Sequence, residues 1–487
     1  MFRDSTRCMY LPDARSSSQK HPVYVVVIPK PPAPAVIPPP PPDHDDEEDG
    51  TLAPVNDHKA QQDEDRYIVD GRYYAESCPL RAALPVELFH PVFAQFATEM
   101  ADEQLQVPAD VAKKTAKLML HLSQIATKET QREDTRDDLS DILDCNIAQT
   151  ANRNQASADH IIVYNRPSHP KDEIALAIVE QNAELGTGSD PSRLREACFC
   201  PSFIISVAGP WISISGAIMT TAPIVQRLTE YTWLGRGLAI NDARIWRVAR
   251  MLFALRRAIN ALRDWYTEMA VPANPSSRLF PLATSCTLPG GATLEFRYEK
   301  PLMGLDPSCA TFLVRVVSSP DSEKYSVGRR MVVKFVEAYG RDAHELLARN
   351  GFAPELIYYG DVWPTQAVSG PWKTVVMEYV EGVTLAKMCV NGGAPPRPVY
   401  DAVRDALALL HGAGMVHGAV RSPNILVANG EGDMRARTRI LDFDWAGKQG
   451  QVRYPLGLFA WNGWADGVAD CALIEAAHDL HMLAALE

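Results

Sequence analysis

The spacing of apolar residues predicts both helices and strands along this chain. Apolar residues recur every three or four positions in three long segments, which is the pattern of a helix with one buried face. These segments are 84–100, 107–126 and 241–269. Shorter apolar or alternating runs predict buried and half-buried strands. These runs lie at 161–164, 174–179, 294–302, 311–317 and 331–335. The mixture predicts an α+β protein.

The segment 203–225 contains 23 residues without a formal charge. A run of this length is long enough to cross a bilayer. Gly209-Pro210 interrupts it, and polar residues alternate with its apolar ones, so it predicts two buried strands around a turn. The N-terminus lacks the apolar region of a secretory signal. We therefore expect no interaction with a membrane.

Charge and cysteine content narrow the class of protein. The formal net charge of −12 at pH 7 argues against non-specific nucleic-acid binding through the overall field. Nine cysteines without a C-x-x-C pair favour reduced thiols, and hence a cytoplasmic or nuclear protein. The helix predicted over 241–269 carries six arginines beside its apolar stripe. They could bind nucleic acid or another anionic partner, or form a solvated face, and the acidic tail could be their intramolecular partner.

Shifts in composition divide the chain into four parts. Residues 1–80 contain a proline run followed by six acidic residues within 43–49, which predicts a disordered tail. Residues 81–270 hold the elements of an α/β region. Residues 271–291 contain prolines and serines and predict an interdomain linker, which leaves 292–487 as the C-terminal domain.

The most specific pattern lies between His411 and Asp444. In order, this stretch predicts a helix end, a loop, a short buried strand, a hairpin and a second strand that ends at Asp442. His417, Asn424 and Asp442 have the order and spacing of the H-R-D-x-x-x-x-N and D-F-G motifs, so the stretch resembles the catalytic core of protein kinases. The resemblance implies that Asn424 and Asp442 hold Mg²⁺, and it assigns His417 and Arg421 to the catalytic loop.

Three positions depart from the kinase pattern. Ala419 stands where the catalytic base is expected, and alanine cannot accept a proton. Asp444 replaces the glycine of D-F-G. The segment 303–310 stands where a glycine-rich phosphate loop is expected, and Gly304 is its only glycine. These departures favour a kinase fold over kinase activity.

A nucleotide site is implied by the same resemblance. Lys334 ends an apolar run that resembles the third kinase strand, so it would bind the phosphates of ATP and pair with a glutamate of the next helix. That helix is predicted over 341–350, with Glu345 as the partner and Glu337 as the alternative. Glu378 to Val380 resemble the hinge, whose backbone groups would bind the adenine ring.

The segment His478-Asp479-Leu480 resembles the start of kinase helix F, whose aspartate braces the catalytic loop. The chain ends eight residues after Asp479, and no A-P-E segment is found. The resemblance, which covers about 295–487, therefore implies a two-lobed protein-kinase-like domain with a shortened C-lobe.

Two further resemblances include residues of the first half of the chain. Residues 180–218 and 441–457 are similar to a family of fungal proteins with a kinase-like C-terminal half. Asp159 before one predicted strand and Glu180 at the end of the next also resemble the Mg²⁺ site of restriction-endonuclease-like folds. Asn182 stands where that site has a lysine, so we expect the fold without an active nuclease. The alternative is that Glu180 and Glu184 are solvent-facing residues at a strand end.

These expectations favour a pseudokinase that binds ATP and Mg²⁺ and serves as a nucleotide-binding or regulatory module with a protein partner or substrate. One alternative is a weakly active protein kinase in which another carboxylate, such as Asp444, replaces the missing base. A second is a degenerate Mg²⁺-dependent nuclease-like protein that binds nucleic acid.

Overall fold

The computed structural model describes most of the chain from residue 84 onward. The described ranges are 84–123, 133–148, 160–165, 173–182, 201–219, 223–235, 242–269, 280–302, 310–321, 323–364, 368, 370–390, 394–456, 458, 461 and 463–486. The tail predicted over 1–80, Asp159 and the glycine-poor segment 303–309 all lie outside them. The described residues divide into two compact units: the first contains those up to Ala283 together with Val368 and Gly370, and the second contains those of Thr284–Thr365 and Pro371–Glu487.

The first unit is a seven-stranded sheet with helices. Its helices are α1 (Val86–Phe89), α2 (Pro91–Ala101), α3 (Ala109–Leu122), α4 (Glu133–Leu143) and α5 (Asp242–Glu268). Its strands are β1 (Ile147–Ala148), β2 (His160–Asn165), β3 (Glu173–Asn182), β4 (Ser202–Ala208), β5 (Trp211–Met219), β6 (Pro223–Arg227) and β7 (Thr232–Trp233). The sheet order is β1-β2-β3-β4-β5-β6, with β7 also paired to β5. Only the β3–β4 pair among these is parallel.

Two predictions for this unit can be compared with the structure directly. The uncharged run 203–225 forms the hairpin of β4 and β5 around Gly209-Pro210, as predicted. The helix predicted over 84–100 is interrupted at His90, because Pro91 has no N–H to continue the helical hydrogen bonds. His90 instead caps α2, where its Nδ1 atom accepts the N–H of Val92 at 3.1 Å.

The second unit begins with a six-stranded antiparallel sheet. Its strands are β8 (Ser285–Thr287), β9 (Thr293–Pro301), β10 (Thr311–Ser318), β11 (Arg330–Val336), β12 (Leu356–Asp361) and β13 (Lys373–Glu378), in the order β12-β13-β11-β10-β9-β8. Helix α6 (Arg341–Arg349) lies between β11 and β12 in the chain. The sheet starts before the predicted boundary at residue 292, because Ser285–Thr287 of the predicted linker pair with β9.

The rest of this unit is mainly helical. Its helices are α7 (Leu385–Met388), α8 (Arg397–Gly412), α9 (Met434–Arg437) and α10 (Ala476–Ala484). Its short strands are β14 (Gly382–Thr384), β15 (Met415–Val416), β16 (Ile425–Ala428), β17 (Thr438–Ile440) and β18 (Gly447–Lys448). A shared core of α6, α8, α10 and the β16–β17 hairpin includes Leu347, Leu407, Leu410, Phe443 and Met482. This core fixes the loops that carry the motif residues.

Within the described ranges, no helix is long and apolar enough to cross a membrane.

Candidate functional site

The loop after β15 is held by a buried carboxylate on α10. Asp479 is fully buried, and its two oxygens accept the backbone N–H groups of His417 at 2.8 Å and Gly418 at 2.7 Å. The same carboxylate bonds to Nε2 of His411 at 3.0 Å. This is the bracing role that the sequence predicted for Asp479. The loop is therefore positioned by side-chain-to-backbone bonds across 61 and 62 residues of chain.

Gly418 occupies the position of the arginine in H-R-D, and the local geometry requires glycine there. Its φ is 77°, in the left-handed region that L side chains rarely adopt. A Cβ atom at this position would lie 2.9 Å from Cδ1 of Ile474. A larger residue would therefore clash with Ile474 and strain the backbone.

Ala419 and Asn424 are joined through the backbone of the loop. The Nδ2 atom of Asn424 donates to the carbonyl oxygen of Ala419 at 3.0 Å and to Oδ2 of Asp442 at 3.4 Å. Both residues are buried, and Ala419 is only 2% exposed. The loop thus keeps its hydrogen bonds at the position where the base is absent, and the side chain of Ala419 supplies no proton acceptor.

Lys334 lies between two aspartates. Its Nζ atom is 2.6 Å from Oδ1 of Asp442 and 2.6 Å from Oδ1 of Asp444. The lysine side chain is 15% exposed and each aspartate 32%, so the cluster opens to solvent on the aspartate side. The sequence predicted Lys334 and Asp442 as members of one site, and the structure brings them together. It also places Asp444 there.

The cluster changes the proton affinity of all three groups. Burial alone would lower the pKa of Lys334, but the two carboxylates outweigh burial and raise it. Burial would raise the pKa of Asp442, but the charge of Lys334, with a smaller effect from Arg421, lowers it. Burial and the neighbouring charge of Asp442 raise the pKa of Asp444 to about 6, against the effect of Lys334. One lysine is thus shared by two carboxylates with opposite pKa shifts.

Arg421 lies close to this cluster but packs elsewhere. Its side chain is buried, and its guanidinium carbon is 5.8 Å from the centre of the Trp445 ring. Its charge still contributes to the lowered pKa of Asp442. The sequence assigned Arg421 to the catalytic loop, and the structure locates it there as a buried cation.

The predicted ion pair between Lys334 and Glu345 is not formed. Glu345 accepts Nε of Arg341 at 2.8 Å and Nη2 of Arg349 at 2.7 Å, four residues to either side on α6. Among the described residues, Lys334 pairs with Asp442 and Asp444 rather than with Glu345 or the alternative, Glu337. The physical reason is the orientation of α6, which turns Ala343, His344 and Leu347 toward the core and leaves Glu345 among exposed arginines.

His344 is a buried site residue that sequence reasoning missed. Its ring stacks on Phe443 with centroids 4.4 Å apart and an interplanar angle of 10°. Its Nε2 atom lies 2.8 Å from the carbonyl oxygen of Pro354, so Nε2 carries the proton, and Nδ1 accepts the hydroxyl of Tyr339 at 2.7 Å. Burial lowers the pKa of His344 to about 4, so the ring is neutral at pH 7.

Phe443 thereby connects α6 to the loop. Its ring also contacts the ring of His417, with centroids 5.3 Å apart and an interplanar angle of 72°. Burial lowers the pKa of His417, so this imidazole is neutral as well. Only the helical spacing of His344 with Leu347 in 341–350 could have indicated a buried histidine from the sequence. The ring stack ties the position of Asp442 to the packing of α6.

The predicted hinge follows β13. The N–H of Glu378 bonds to the carbonyl of Glu355 at 2.9 Å, and the Glu378 carboxylate accepts the N–H of Glu355 at 3.3 Å. Val380 is half-buried, and its backbone makes no hydrogen bond to any residue that the structure describes. Among the described residues, none occupies the N–H or C=O group of Val380, so both groups are available to a ligand.

In the first unit, the residues singled out for an endonuclease-like metal site are only partly described. Glu180 and Asn182 lie on β3, opposite Ser206 and Ala208 of the parallel strand β4. Asp159 and Glu184 lie outside the described residues. Across the ranges given above, no group of three or more histidine, cysteine, aspartate or glutamate side chains is placed to hold a metal ion.

Comparisons with known proteins point to kinases over a short stretch. The chain is 31% identical over 98 residues to serine/threonine-protein kinase PknB of Mycobacterium leprae (strain TN). The aligned stretch covers 19% of this chain and 15% of that protein. It is 28% identical over 113 residues to serine/threonine-protein kinase PknB of Mycolicibacterium smegmatis (strain ATCC 700084 / mc(2)155), covering 22% of this chain and 17% of that protein. These partial matches support a protein-kinase-like fold.

Other comparisons add little. The chain spans about a sixth of the length of the curated relatives it matches. A solved structure entitled "Structure of the Cydia pomonella Granulovirus kinase, PK-1" is similar at 16% identity, with coverage of 39% of this chain and 65% of that chain. Its TM-score of 0.29 is too low to inform the fold. No protein-family model matches the chain.

Proposed function

We propose that the second unit is a pseudokinase: a two-lobed kinase-like domain with a shortened C-lobe that binds ATP with Mg²⁺ and acts as a regulatory module. In this proposal the six-stranded sheet with α6 is the smaller lobe, and the helical part with the loop braced by Asp479 is the larger one. The nucleotide lies between them, close to Lys334 and Asp442. A protein partner would respond to the nucleotide-bound state.

The observation that carries this proposal is the state of Ala419. The loop around it is built and hydrogen-bonded, with Asn424 bonded to its carbonyl at 3.0 Å, yet no carboxylate occupies the base position. Positioning the acceptor hydroxyl by a general base contributes a factor of roughly 10²–10⁴ to a rate. A preserved loop without the base supports nucleotide binding more strongly than phosphate transfer.

The residues around Asp442 fit a magnesium ion. Magnesium prefers oxygen ligands, and Asp442 and Asp444 direct Oδ1 atoms to one point, where they bind the ammonium of Lys334. The Nδ2 amide group of Asn424 donates hydrogen bonds to the carbonyl oxygen of Ala419 and to Oδ2 of Asp442, so the Oδ1 atom of Asn424 is the atom that would coordinate a ligand. Bound Mg²⁺ would neutralise phosphate charge at this point.

The residues also fit an adenine nucleotide in part. Val380 has backbone groups without partners in the described chain, as a hinge that binds adenine requires. Lys334 supplies a buried cation for the phosphates, and Asp442 and Asp444 must release it, at least partly, for the phosphates to bind. We therefore expect ATP affinity to depend on Mg²⁺, which would compete with Lys334 for the carboxylates.

The test is calorimetric titration of the full chain with ATP, with and without Mg²⁺, beside Lys334→Met and Lys324→Met. Lys324 is an exposed lysine of the same unit, paired with Glu355, and serves as the matched control. We expect Mg²⁺-dependent binding by the wild type and the control, and at least a tenfold loss in Lys334→Met. Absence of binding under both conditions would refute the nucleotide-binding role.

One observation favours a second candidate, a weakly active kinase. The pKa of Asp444 is raised to about 6, which is near the value that suits a general base at neutral pH. In this case Asp444→Asn would abolish radiolabelled phosphate transfer although it does not weaken ATP binding. A wild type without transfer above the Lys334→Met background leaves only the pseudokinase.

A further inference from the structure

We propose that an aromatic cluster holds the segment 445–474 in one fixed conformation without phosphorylation. We define the aromatic cluster by four residues of that segment: Trp445, Tyr454, Trp461 and Trp464. In regulated protein kinases, the segment that follows D-F-G is ordered by a phosphate that pairs with arginines. The inference rests on the proposed kinase-like function of the second unit and deepens it, because it concerns how the same site is regulated.

Trp464 lies at the centre of the aromatic cluster. Its ring centroid is 5.0 Å from that of Trp461, 5.9 Å from that of Tyr454 and 6.2 Å from that of Trp445. Trp445 and Tyr454 also contact each other edge to face, with centroids 5.8 Å apart. These distances fall within the range of roughly 4.5–7 Å at which aromatic rings attract each other. The cluster thus joins residues that are far apart along the segment.

The aromatic cluster is anchored in the interior of the unit. Tyr454 is 2% exposed, and it shares a small core with Ile474 and with Val416 of β15, which are both fully buried. Trp464 packs against the same core. Because Val416 is the last residue of β15, the segment is fixed against the loop that follows this strand.

Backbone hydrogen bonds hold the same segment in place. β15 pairs with β18 in antiparallel orientation, which attaches the start of the segment to the strand before the loop. Further along, the N–H of Tyr454 donates to the carbonyl oxygen of Ala472 at 3.0 Å, and the N–H of Ile474 donates to that of Val452 at 3.0 Å. The two halves of the segment are therefore paired with each other through backbone groups alone.

The segment offers no accessible hydroxyl to a phosphorylating enzyme. Residues 439–487 contain no serine or threonine, and Tyr454 is their only tyrosine. Its ring is buried, and its hydroxyl lies 3.3 Å from Nδ1 of His478. Gly418 replaces the arginine of H-R-D, so the loop has no guanidinium at that position to receive a phosphate. Packing of the aromatic cluster is the remaining means of ordering the segment.

A segment fixed in this way limits how the domain can be regulated. It is ordered before any nucleotide binds, so nucleotide binding does not have to supply the free energy of ordering it. Phosphorylation of the segment cannot switch the domain, because the buried tyrosine would first have to leave the core. The nucleotide itself is then the signal to which the domain responds.

The test is hydrogen–deuterium exchange of the full chain without nucleotide, read by mass spectrometry of overlapping peptides that contain Tyr454 and Ile474. We expect these two amides to exchange at least about 100-fold more slowly than unprotected amides, because the segment must open locally before they exchange. Trp464→Ala should speed their exchange at least tenfold. The control Trp246→Ala removes an exposed tryptophan of the first unit and should change it less than twofold.

Two further variants separate packing from unfolding and from hydrogen bonding. Exchange of the β11 peptide reports unfolding of the whole unit; if Trp464→Ala raises it as well, Trp461→Ala takes its place in the same comparison. Tyr454→Phe keeps the ring and removes the hydroxyl, so we expect its exchange to stay within twofold of the wild type. An increase of tenfold or more in Tyr454→Phe would mean that the hydroxyl, rather than the packed rings, holds the segment, and would overturn the proposal.

Phosphorylation supplies the other arm of the test. The folded wild type is incubated with a tyrosine kinase of broad specificity and ATP, and we expect Tyr454 to remain unmodified in the mass spectrum. Phosphate on Tyr454, or an unprotected segment that becomes protected only with ATP and Mg²⁺, overturns the proposal. Neither readout requires nucleotide binding by this chain, so a failed calorimetric titration would refute the nucleotide-binding role and leave the aromatic cluster standing.

Discussion

The ammonium group of Lys334 lies 2.6 Å from Oδ1 of Asp444, the residue that replaces glycine after Asp442-Phe443. The same ammonium is equally close to Asp442, so two carboxylates share one cation. A nucleotide phosphate must compete with both. The substitution of glycine by Asp444 therefore does more than remove a flexible residue: it adds a second anionic competitor for the lysine.

Removing that competitor should strengthen nucleotide binding. In Asp444→Asn the lysine keeps one carboxylate partner and loses a negative charge that repels the phosphates. We expect ATP to bind about three- to tenfold more tightly without Mg²⁺, equivalent to about 0.6–1.4 kcal/mol. Calorimetric titration checks this. The exposed carboxylate Asp466 provides the control, and an affinity equally improved in Asp466→Asn would mean that general charge, rather than the Lys334 pair, is responsible.

Loss of Asp442 should have the opposite dependence on metal. We expect Asp442→Asn to abolish the Mg²⁺-dependent part of ATP binding, because an amide is a poor substitute for a charged oxygen ligand. The titration is repeated over a series of Mg²⁺ concentrations, again with Asp466→Asn as the matched control. If Mg²⁺ still enhances binding in Asp442→Asn, Asp442 is not the ligand.

Restoring the base should not restore a kinase. Ala419→Asp supplies a carboxylate that could contribute roughly 10²–10⁴ in rate. We expect less than about a tenfold gain in radiolabelled phosphate transfer, because the segment 303–310 still lacks the glycines of a phosphate-binding loop. The variant must be shown to fold, since Ala419 is buried and a new carboxylate there carries a desolvation cost. A wild type that already transfers phosphate at ordinary kinase rates of about 1–100 s⁻¹ would contradict the pseudokinase proposal.

The carboxylate of Asp479 should be worth several kilocalories per mole to stability. It is fully buried and accepts two backbone N–H groups as well as the imidazole of His411. Asp479→Ala leaves those donors without partners, and we expect a loss of about 3–5 kcal/mol in the free energy of unfolding. Urea denaturation measures it. Asp405→Ala, which removes an exposed ion pair with Arg435, should cost no more than about 1 kcal/mol.

The raised pKa of Asp444 predicts a dependence of stability on pH. Aspartate in an unfolded chain has a pKa of about 3.9. In the folded chain Asp444 has a pKa of about 6, so between these values the folded state holds a proton that the unfolded state has lost. The resulting stabilisation is present below pH ~4 and is lost as the pH rises through ~6.

Asp444→Asn lacks this titration. Between about pH 4.5 and pH 7, we expect the free energy of unfolding of Asp444→Asn to rise by about 1–2 kcal/mol relative to that of the wild type. This value is already reduced for the partial exposure of the carboxylate. Asp442, whose pKa is lowered, acts with the opposite sign below pH ~4 and does not affect this interval. Urea denaturation at several pH values tests the difference. Parallel curves for the two proteins would show that Asp444 is ionised across the range.

Local sequence patterns were enough to predict the secondary structure around the motifs and the order of the residues in the loop. Period-two and period-3.6 patterns located β9, β10, β11 and α5, because a buried face imposes its period on the local sequence. The spacing of His417, Asn424 and Asp442 is local as well, since one loop and one hairpin connect them. Their mutual placement, and the absence of a base at Ala419, could therefore be stated from the sequence.

The partners of Lys334 depend on long-range packing and could not be read from local patterns. Asp442 and Asp444 are 108 and 110 residues away in the chain, whereas the predicted partner Glu345 is 11 residues away. The orientation of α6 about its axis determines whether Lys334 meets Glu345 or the two aspartates. That orientation follows from the packing of His344 against Phe443. The need for glycine at position 418 likewise comes from Ile474, 56 residues further on. A local pattern records which residues are apolar, but contacts between distant segments depend on how those segments pack together.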